Sequence, residues 1–543
     1  MFGLVLTPPR SRADWLIPAS LFAAALTLGV AAGPAGAFPI NDDWSYSAAA
    51  RALLEQGRLA YTDWTSMPLL PQILIGAAFG ALFGASETVL RMSTLTVTAA
   101  GLVALYFAAR EVGARPGRAG LLAACVLVSP VFFSVSLSFM TDSFFFAFLA
   151  ATCWAWLRYA RTESATSLSL GTLFAVLATL QRQLGLALPL AFAAALVVTR
   201  GWSGRVLRTA LLPLAVVALA HVGYGAYVER WVGRPLLWDE KIRHLVSVLT
   251  HPGFKIPREV LARSVAILGY TGITFAPLLL PLRVPVLSAR ARLVTGALVA
   301  VLGLYVAWLR PPFDSLVHQD GVGLPLTPSE PSAGFLIAWR IVIFSGVVLA
   351  LGAAIPGITS ALGAARRSAQ RDRERWFAPC FLLSICVVTL SPLLPILFFD
   401  RYLLGVLPLF GILIAARHQP AAPTPRAFSL GYCAALAAIA VVTTQDSFAW
   451  NRARWRAIEV ATASYGAAPE QIDAGFEYNE RRRQLPTLGT QLSNERPRIP
   501  ELDARYVVSF GPRAGYEALE RFRTGSWLHG SRDVLLLERR RLP

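Results

Sequence analysis

Charge is scarce in this chain of 543 residues: Asp, Glu, Lys and Arg together make up 15% of it, against 55% hydrophobic residues. That balance excludes an ordinary soluble protein. Cysteine is also scarce. Cys125, Cys153, Cys380, Cys386 and Cys433 all lie inside apolar segments, so nothing suggests a disulfide framework or a cysteine-based metal site. His221, His244, His251, His318, His418 and His529 show no metal-ligand spacing. No internal repeat or low-complexity tract is visible. The formal net charge of +18 would suggest nucleic acid in a soluble chain. Here the arginines cluster between apolar runs, as the positive-inside rule describes, and no nucleic-acid partner is expected.

Apolar runs of roughly 17–25 residues recur along most of the length, each long enough to cross a bilayer. The first, Asp14 to Gly36, has Arg10 and Arg12 on its N-terminal side, which places that terminus in the cytoplasm. Gly33-Pro34-Ala35-Gly36-Ala37 resembles a signal-peptidase site, but the run is long for a signal segment and is read as retained. The loop that follows, 37–87, is then exported. Met67 to Gly84 is apolar but short and rich in Gly and Pro, and reads as a re-entrant or interfacial helix. Alternating spans then put Arg110–Arg118, Arg158–Arg161, Arg200–Arg208, Arg283–Arg292 and Arg366–Arg375 in the cytoplasm. An amphipathic stretch up to Leu249 and a Pro-rich loop from Pro311 to Ser332 fall on the exported side.

The expected fold is thus an α-helical polytopic membrane protein of about 13 spans over 1–445, with the C-terminus outside. After Gln445 the character changes. Asn451 to Ala463 reads as a helix, Gln471 to Phe476 and Arg505 to Phe510 as strands, Gly515 to Arg523 as a helix and Val534 to Glu538 as a strand. This predicts a small exported α/β domain over 446–543. It carries no metal cluster, nucleophile motif or Gly-rich phosphate loop. Its phrase Ile472-Asp473-Ala474-Gly475-Phe476-Glu477-Tyr478-Asn479 reads as a strand and turn.

The chain is organised around Asn41-Asp42-Asp43-Trp44-Ser45-Tyr46, which emerges where the first span ends. Two adjacent carboxylates there must sit in water or have partners. Asp43 reads as an N-cap, with a helix from Trp44 through Gln56 stopped by Gly57. That leaves Asp42 for other work. Span parity puts Asp42, Asp142, Arg182, Asp400 and Arg401 on one face. Each has a plain structural alternative: Asp142 capping a helix from Ser143, Arg182 snorkelling, Arg401 pairing with Asp400, and Arg51 pairing with Glu55.

Asp42-Asp43-Trp44-Ser45-Tyr46 with Arg51 resembles the Asp-Glu-x-x-Tyr…Arg signature of GT-C type, polyprenyl-phosphate-dependent membrane glycosyltransferases. That superfamily includes the protein O-mannosyltransferases and the aminoarabinose-to-lipid A transferases. The resemblance continues through Gln72, Phe83-Gly84-Ala85-Ser86-Glu87 and Arg91, and resumes at Thr141-Asp142, Arg182 and Asp400-Arg401-Tyr402-Leu403-Leu404. It implies an enzyme of the bacterial inner membrane that moves a sugar from an undecaprenyl-phosphate donor to an exported glycolipid, glycan or protein. Asp42, Asp43 and Asp142 would be the catalytic carboxylates. Arg182, Arg401 and Tyr402 would bind the donor phosphate, supported by Tyr46, Arg51, Glu87 and Arg91.

Such a transfer needs a base for the acceptor hydroxyl and positive charge for the phosphate. Asp42 suits the first task and the two arginines the second, because a guanidinium pairs bidentately and keeps its charge. Where aminoarabinose transferases carry a Lys-Pro motif after the first loop helices, this chain has Met67-Pro68. Asp42 and Asp142 could share a divalent cation, but the resemblance is nearer to metal-independent members, so no cofactor is expected to be required. The competing classes are a flippase or transporter for lipid-linked substrates, for which no inverted repeat is evident, and a ligase or polymerase of surface glycans.

Overall fold

The computed structural model describes residues 13–251, 255–281, 289–308, 317–318, 321–322, 333–365, 376–396, 399–416, 426–489, 504–525 and 533–540. The Pro-rich loop expected from Pro311 to Ser332 falls almost wholly outside the described residues, as do the basic cluster Arg366–Arg375, His418 and His529.

The architecture is helical. In chain order the helices are α1 (Ala13–Ala31), α2 (Asp43–Gln56), α3 (Leu70–Phe83), α4 (Glu87–Glu111), α5 (Pro116–Leu127), α6 (Pro130–Ser136), α7 (Thr141–Thr162), α8 (Ala165–Gln181), α9 (Ala187–Arg200) and α10 (Gly204–Tyr227). There follow α11 (Glu240–Thr250), α12 (Lys255–Thr274), α13 (Ala276–Leu279), α14 (Ala289–Trp308), α15 (Ala333–Ala365), α16 (Phe377–Ile396), α17 (Leu407–Ala416), α18 (Arg426–Ala463) and α19 (Phe476–Gln484). Among the described residues, seven helices are long and apolar enough to cross a membrane by themselves, or eight if α5 and α6 count as one span bent by 71°. Large apolar side chains such as Trp15, Leu211, Leu219, Leu304 and Leu430 face outward, as a lipid-facing surface requires.

Helix α3 has 14 residues. At 1.5 Å per residue that is about 21 Å, short of the roughly 30 Å hydrocarbon core. The re-entrant or interfacial reading of this segment fits that length. Helices α4 and α7 pack closely because Gly101 lacks a side chain: a Cβ there would lie 2.8 Å from the Ala147 Cα.

The C-terminal unit corrects three expectations, one of them the strand over Gln471–Phe476, which spans only Ile472–Asp473 while Phe476 opens α19. The last span and the helix from Asn451 are one helix, α18, running unbroken through position 445. The segment expected as a helix over 515–523 is instead the strand β5 (Tyr516–Arg523). It completes a sheet with β3 (Ile472–Asp473), β4 (Tyr506–Ser509) and β6 (Asp533–Arg539), in the order β3-β4-β6-β5; the remaining strands, β1 (Val317–His318) and β2 (Gly321–Val322), form a separate hairpin. β5 is an edge strand, paired antiparallel with β6 and bulged between Ala518 and Glu520. Its Glu and Arg residues favour a helix locally, but pairing overrides propensity, and charged side chains suit an exposed edge. Ile458 and Ala461 of α18 pack against Ile472, Tyr506, Val508 and Leu536, so the small sheet is built on the extension of the last long helix.

Candidate active site

The loop after α1 is held open by carbonyl capture. Arg91, buried on the first turns of α4, donates to the carbonyls of Pro34 (2.7 Å), Gly36 (3.2 Å) and Phe38, and lies 4.2 Å over the Phe38 ring. Arg452 of α18 donates to the Gly33 and Ala35 carbonyls from the other side, each at 3.1 Å. The loop then turns through Asn41, whose φ of 54° is left-handed. Asn tolerates that region better than most residues.

Helix α2 begins at Asp43, one residue earlier than expected, and the N-cap position is Asp42, which makes no side-chain cap bond. Asp43 caps differently. Its Oδ1 accepts the Ile40 N–H at 2.6 Å and its Oδ2 the Phe139 N–H at 3.3 Å, tying the first loop to the loop before α7. Burial, and then the neighbouring Glu87, push the Asp43 carboxyl above its ordinary range, with Arg91 acting against them.

Asp42 is thereby released toward the site. Its Oδ1 accepts the Trp64 indole N–H at 2.9 Å, and its Oδ2 lies 3.4 Å from Arg401 Nη2. Arg401 sits in a 3-10 turn, Asp400–Gly405, between α16 and α17, so the chain breaks its helix where this side chain is needed. Arg401 Nε is 3.9 Å from Asp142 Oδ2, and Asp142 in turn pairs with Arg182. Arg182 occupies the extended residue where α8 gives way to the 3-10 turn Gln183–Leu186. Its guanidinium lies 4.8 Å over the Tyr402 ring, and Arg401 lies 4.8 Å over Phe399. Tyr46, one turn into α2, is buried among these charges; burial first and then Asp42 push its phenol up.

The result is an alternating chain Asp42–Arg401–Asp142–Arg182, formally neutral and almost sealed from solvent. Burial works to lower the pKa of Arg401, but Asp142 and Asp42 together carry it above the usual arginine value. Nε and Nη1 of Arg401 are buried with no hydrogen-bond partner among the described residues. Beside the turn, Val126, Phe132, Tyr270, Leu403, Leu404 and Leu407 line an apolar crevice.

Two of the structural alternatives are replaced by other partnerships. Arg401 is paired with Asp42, and Arg51 with Glu87 rather than Glu55 (2.6 Å). Asp142 lies within the first turn of α7, which starts at Thr141 and not Ser143, and makes no cap bond. Arg51, Glu87 and Arg91 form a second cluster behind Asp43, with Ser47 donating to Glu87 at 3.3 Å. They scaffold the loop and do not line the Asp42–Arg401 contact.

Trp64 was not anticipated as a partner of Asp42; it lies 22 positions away with no periodic pattern joining them. A second unanticipated lock joins Gln181 to Gln72: Gln181 Nε2 donates to Gln72 Oε1 at 2.6 Å, and Gln72 Nε2 donates to the Phe139 carbonyl at 2.7 Å. This fixes the residue before Arg182. Gly185 permits the tight exit, since a Cβ there would lie 2.4 Å from the Thr179 nitrogen.

Residues 67–224 match the family model described as dolichyl-phosphate-mannose-protein mannosyltransferase. The resemblance to GT-C type polyprenyl-phosphate-dependent glycosyltransferases therefore stands on a segment containing Gln72, Glu87, Arg91, Asp142 and Arg182. Among solved structures the chain is similar to ArnT from Cupriavidus metallidurans bound to undecaprenyl phosphate, at 14% identity and a TM-score of 0.42, covering 97% of this chain and 98% of that one. It is also similar to the Saccharomyces cerevisiae protein O-mannosyltransferase Pmt1-Pmt2 complex bound to the sugar donor, at 16% identity and a TM-score of 0.34. That match covers 42% of this chain and 35% of the other. A third similarity is to the Archaeoglobus fulgidus oligosaccharyltransferase, at 12% identity and a TM-score of 0.32, covering 72% and 55%. No curated protein matches the chain.

Proposed function

We propose that this multi-span, GT-C-like chain is a glycosyltransferase of the bacterial inner membrane. It moves a sugar from an undecaprenyl-phosphate donor to an acceptor on the exported face. The observation that carries the reading is Arg401: among the described residues its buried Nε and Nη1 have no hydrogen-bond partner, Nε facing Asp142 only at 3.9 Å, while Asp42 holds Nη2. Buried guanidinium donors are normally satisfied. The unpartnered Nη1 offers a donor to a phosphate oxygen, on a group that keeps its positive charge.

In the reaction, the acceptor hydroxyl oxygen forms a bond to the anomeric carbon as the bond from that carbon to the phosphate oxygen breaks. Asp42 takes the hydroxyl proton, and the lipid phosphate leaves with the electron pair, held by Arg401 and Arg182. Asp142 orients both arginines and is a positioning carboxylate. Tyr402 stacks beneath Arg182. Both Asp42 and Asp142 are engaged by guanidinium groups, an environment that favours metal-independent transfer over sharing a divalent cation.

Purified protein with carrier-linked sugar and acceptor tests this. Asp42→Asn keeps the shape but cannot accept the proton, and should lose turnover by roughly 10²–10⁴-fold. Near wild-type turnover in that variant would remove Asp42 from the chemistry. Comparing envelope glycolipids by mass spectrometry with and without the gene identifies the sugar and acceptor.

A further inference from the structure

The phrase Ile472–Asn479, which read as a plain strand and turn, reaches the candidate base. Ile472 and Asp473 form β3, and the turn after them is locked from within: Asn479 Nδ2 and the Gly475 N–H both donate to Asp473 Oδ1, at 2.8 and 3.2 Å. Gly475 has a φ of 85°, which strains any residue with a side chain. That turn delivers Phe476 and Glu477 to the loop carrying Asp42.

Phe476 packs against Trp64 with ring centroids 5.2 Å apart, and Trp44 supports the indole from another side at 6.3 Å. The same indole donates to Asp42 Oδ1. Glu477 accepts the N–H of the left-handed Asn41 at 3.2 Å. Glu477 is buried and is itself fixed by Arg454 of α18, at 2.9 Å, and Arg454 Nε also donates to the Ala474 carbonyl at 2.6 Å. The residue before Asp42 and the partner of its Oδ1 are thus both held by two consecutive residues of the C-terminal unit.

We propose that Phe476 and Glu477 are positioning residues for Asp42, bracing Trp64 and Asn41 so that Oδ1 is occupied by the indole and Oδ2 is presented beside Arg401. The inference rests on the reading of Asp42 as the base. It gives the C-terminal unit a part in the reaction: a base displaced by an ångström loses much of its rate, so its neighbours must be fixed. The charged and titratable groups around Asp42 are Arg401 from the 3-10 turn, Tyr46 and Asp43 on its own helix, and Asp142 and Arg182 beyond Arg401.

The test reads Asp42 directly in the full-length protein. Dicyclohexylcarbodiimide reacts with protonated carboxyls, and peptide mass spectrometry locates the adduct. Trp64→Phe keeps an aromatic ring at the position that meets Phe476 while removing the N–H along with one ring of the indole. With its Oδ1 partner gone the Asp42 carboxyl is no longer held in place, and its labelling should speed up about tenfold. Phe476→Ala should do the same by letting the indole turn, and Phe476→Tyr should restore the wild-type rate. Labelling of the exposed Glu55 should not change in any of them. Turnover should fall in Trp64→Phe while affinity for undecaprenyl phosphate, used as the probe, stays as in wild type. Should Phe476→Ala fold poorly, Trp64→Phe still decides. Unchanged Asp42 labelling in a folded Trp64→Phe variant overturns the brace alone. Full turnover in Asp42→Asn overturns the base assignment, and with it the catalytic meaning of the brace.

Discussion

Asp42 and Arg401 lie 359 positions apart and meet with 3.4 Å between Oδ2 and Nη2. The contact joins the loop after α1 to the break between α16 and α17. It leaves the arginine charged, with Nε facing Asp142 at 3.9 Å and Nη1 without a hydrogen-bond partner among the described residues. A guanidinium in that condition is poised to accept an anion without reorganising, which is what electrostatic catalysis asks of a preformed site.

Arg401→Ala should therefore weaken binding of undecaprenyl phosphate, measured with the purified protein in nanodiscs. Arg401→Lys should rescue it only partly, because an ammonium replaces Asp42's partner but cannot offer the two-donor fork. Equal affinity in the alanine variant and wild type would return Arg401 to a structural duty toward Asp42 and Asp142.

Asp43 makes a separate prediction about pH. Folding raises its pKa, through burial and the nearby Glu87. A carboxyl raised in this way binds its proton more tightly folded than unfolded. Its contribution to stability is present below the unfolded value and is lost as pH rises through the folded one. Apparent melting temperature, followed by tryptophan fluorescence, should thus decline from about pH 4 to pH 8 more steeply in wild type than in Asp43→Asn. Asparagine can still accept the Ile40 N–H, so Asp43→Asn should keep far more turnover than Asp42→Asn. If the two variants behave the other way round, the roles of the adjacent carboxylates are exchanged.

The cluster behind Asp43 should answer to stability and not to chemistry. Glu87 is 4% exposed and is held by Arg51 at 2.6 Å. Arg51→Ala strands that carboxylate, and breaking a buried pair typically costs about 3–5 kcal/mol. Arg51 is 23% exposed, so the lower end of that range is expected. The melting temperature should fall while turnover per folded molecule changes little. A large loss of turnover at unchanged stability would move Arg51 into the site.

Much of this arrangement was legible in the sequence because membrane chains are strongly constrained. A long apolar run followed by Asp42-Asp43 reads as an end of a span, and arginine parity expects Asp42, Asp142, Arg182 and Arg401 on one face; that they meet as an ion-pair chain is what the structure adds. What escaped was contact set by non-local packing. Trp64 reaches Asp42 across a loop without regular periodicity, and Phe476 and Glu477 reach Trp64 and Asn41 from a segment more than 400 positions later. The strand β5 escaped for a related reason: Tyr516–Arg523 carries helix-favouring residues, and only pairing with β6 makes it extended. Continuity of α18 past Gln445 was hidden because its apolar character stops there while its helix does not.

The shared face remains to be measured, and the structure improves the choice of probes. Ser138 and Ser447 are buried and make poor labelling sites. Gln56 at the end of α2 and Ser464 just past α18 are exposed, as are Thr166 near the start of α8 and Ser203 before α10. The five native cysteines lie in apolar helices, and a cysteine-free background removes them. With a membrane-impermeant maleimide applied to intact cells whose outer membrane is permeabilised, Gln56→Cys and Ser464→Cys should label. Thr166→Cys and Ser203→Cys should label only after the inner membrane is opened. Those two probes lie near Arg158, Arg161, Arg200 and Arg205, whose clustering is the ground for expecting that side in the cytoplasm. If Gln56 and Ser464 labelled on opposite sides, the α18 extension could not brace the first loop. The Asn41–Glu477 contact would then be impossible in the membrane.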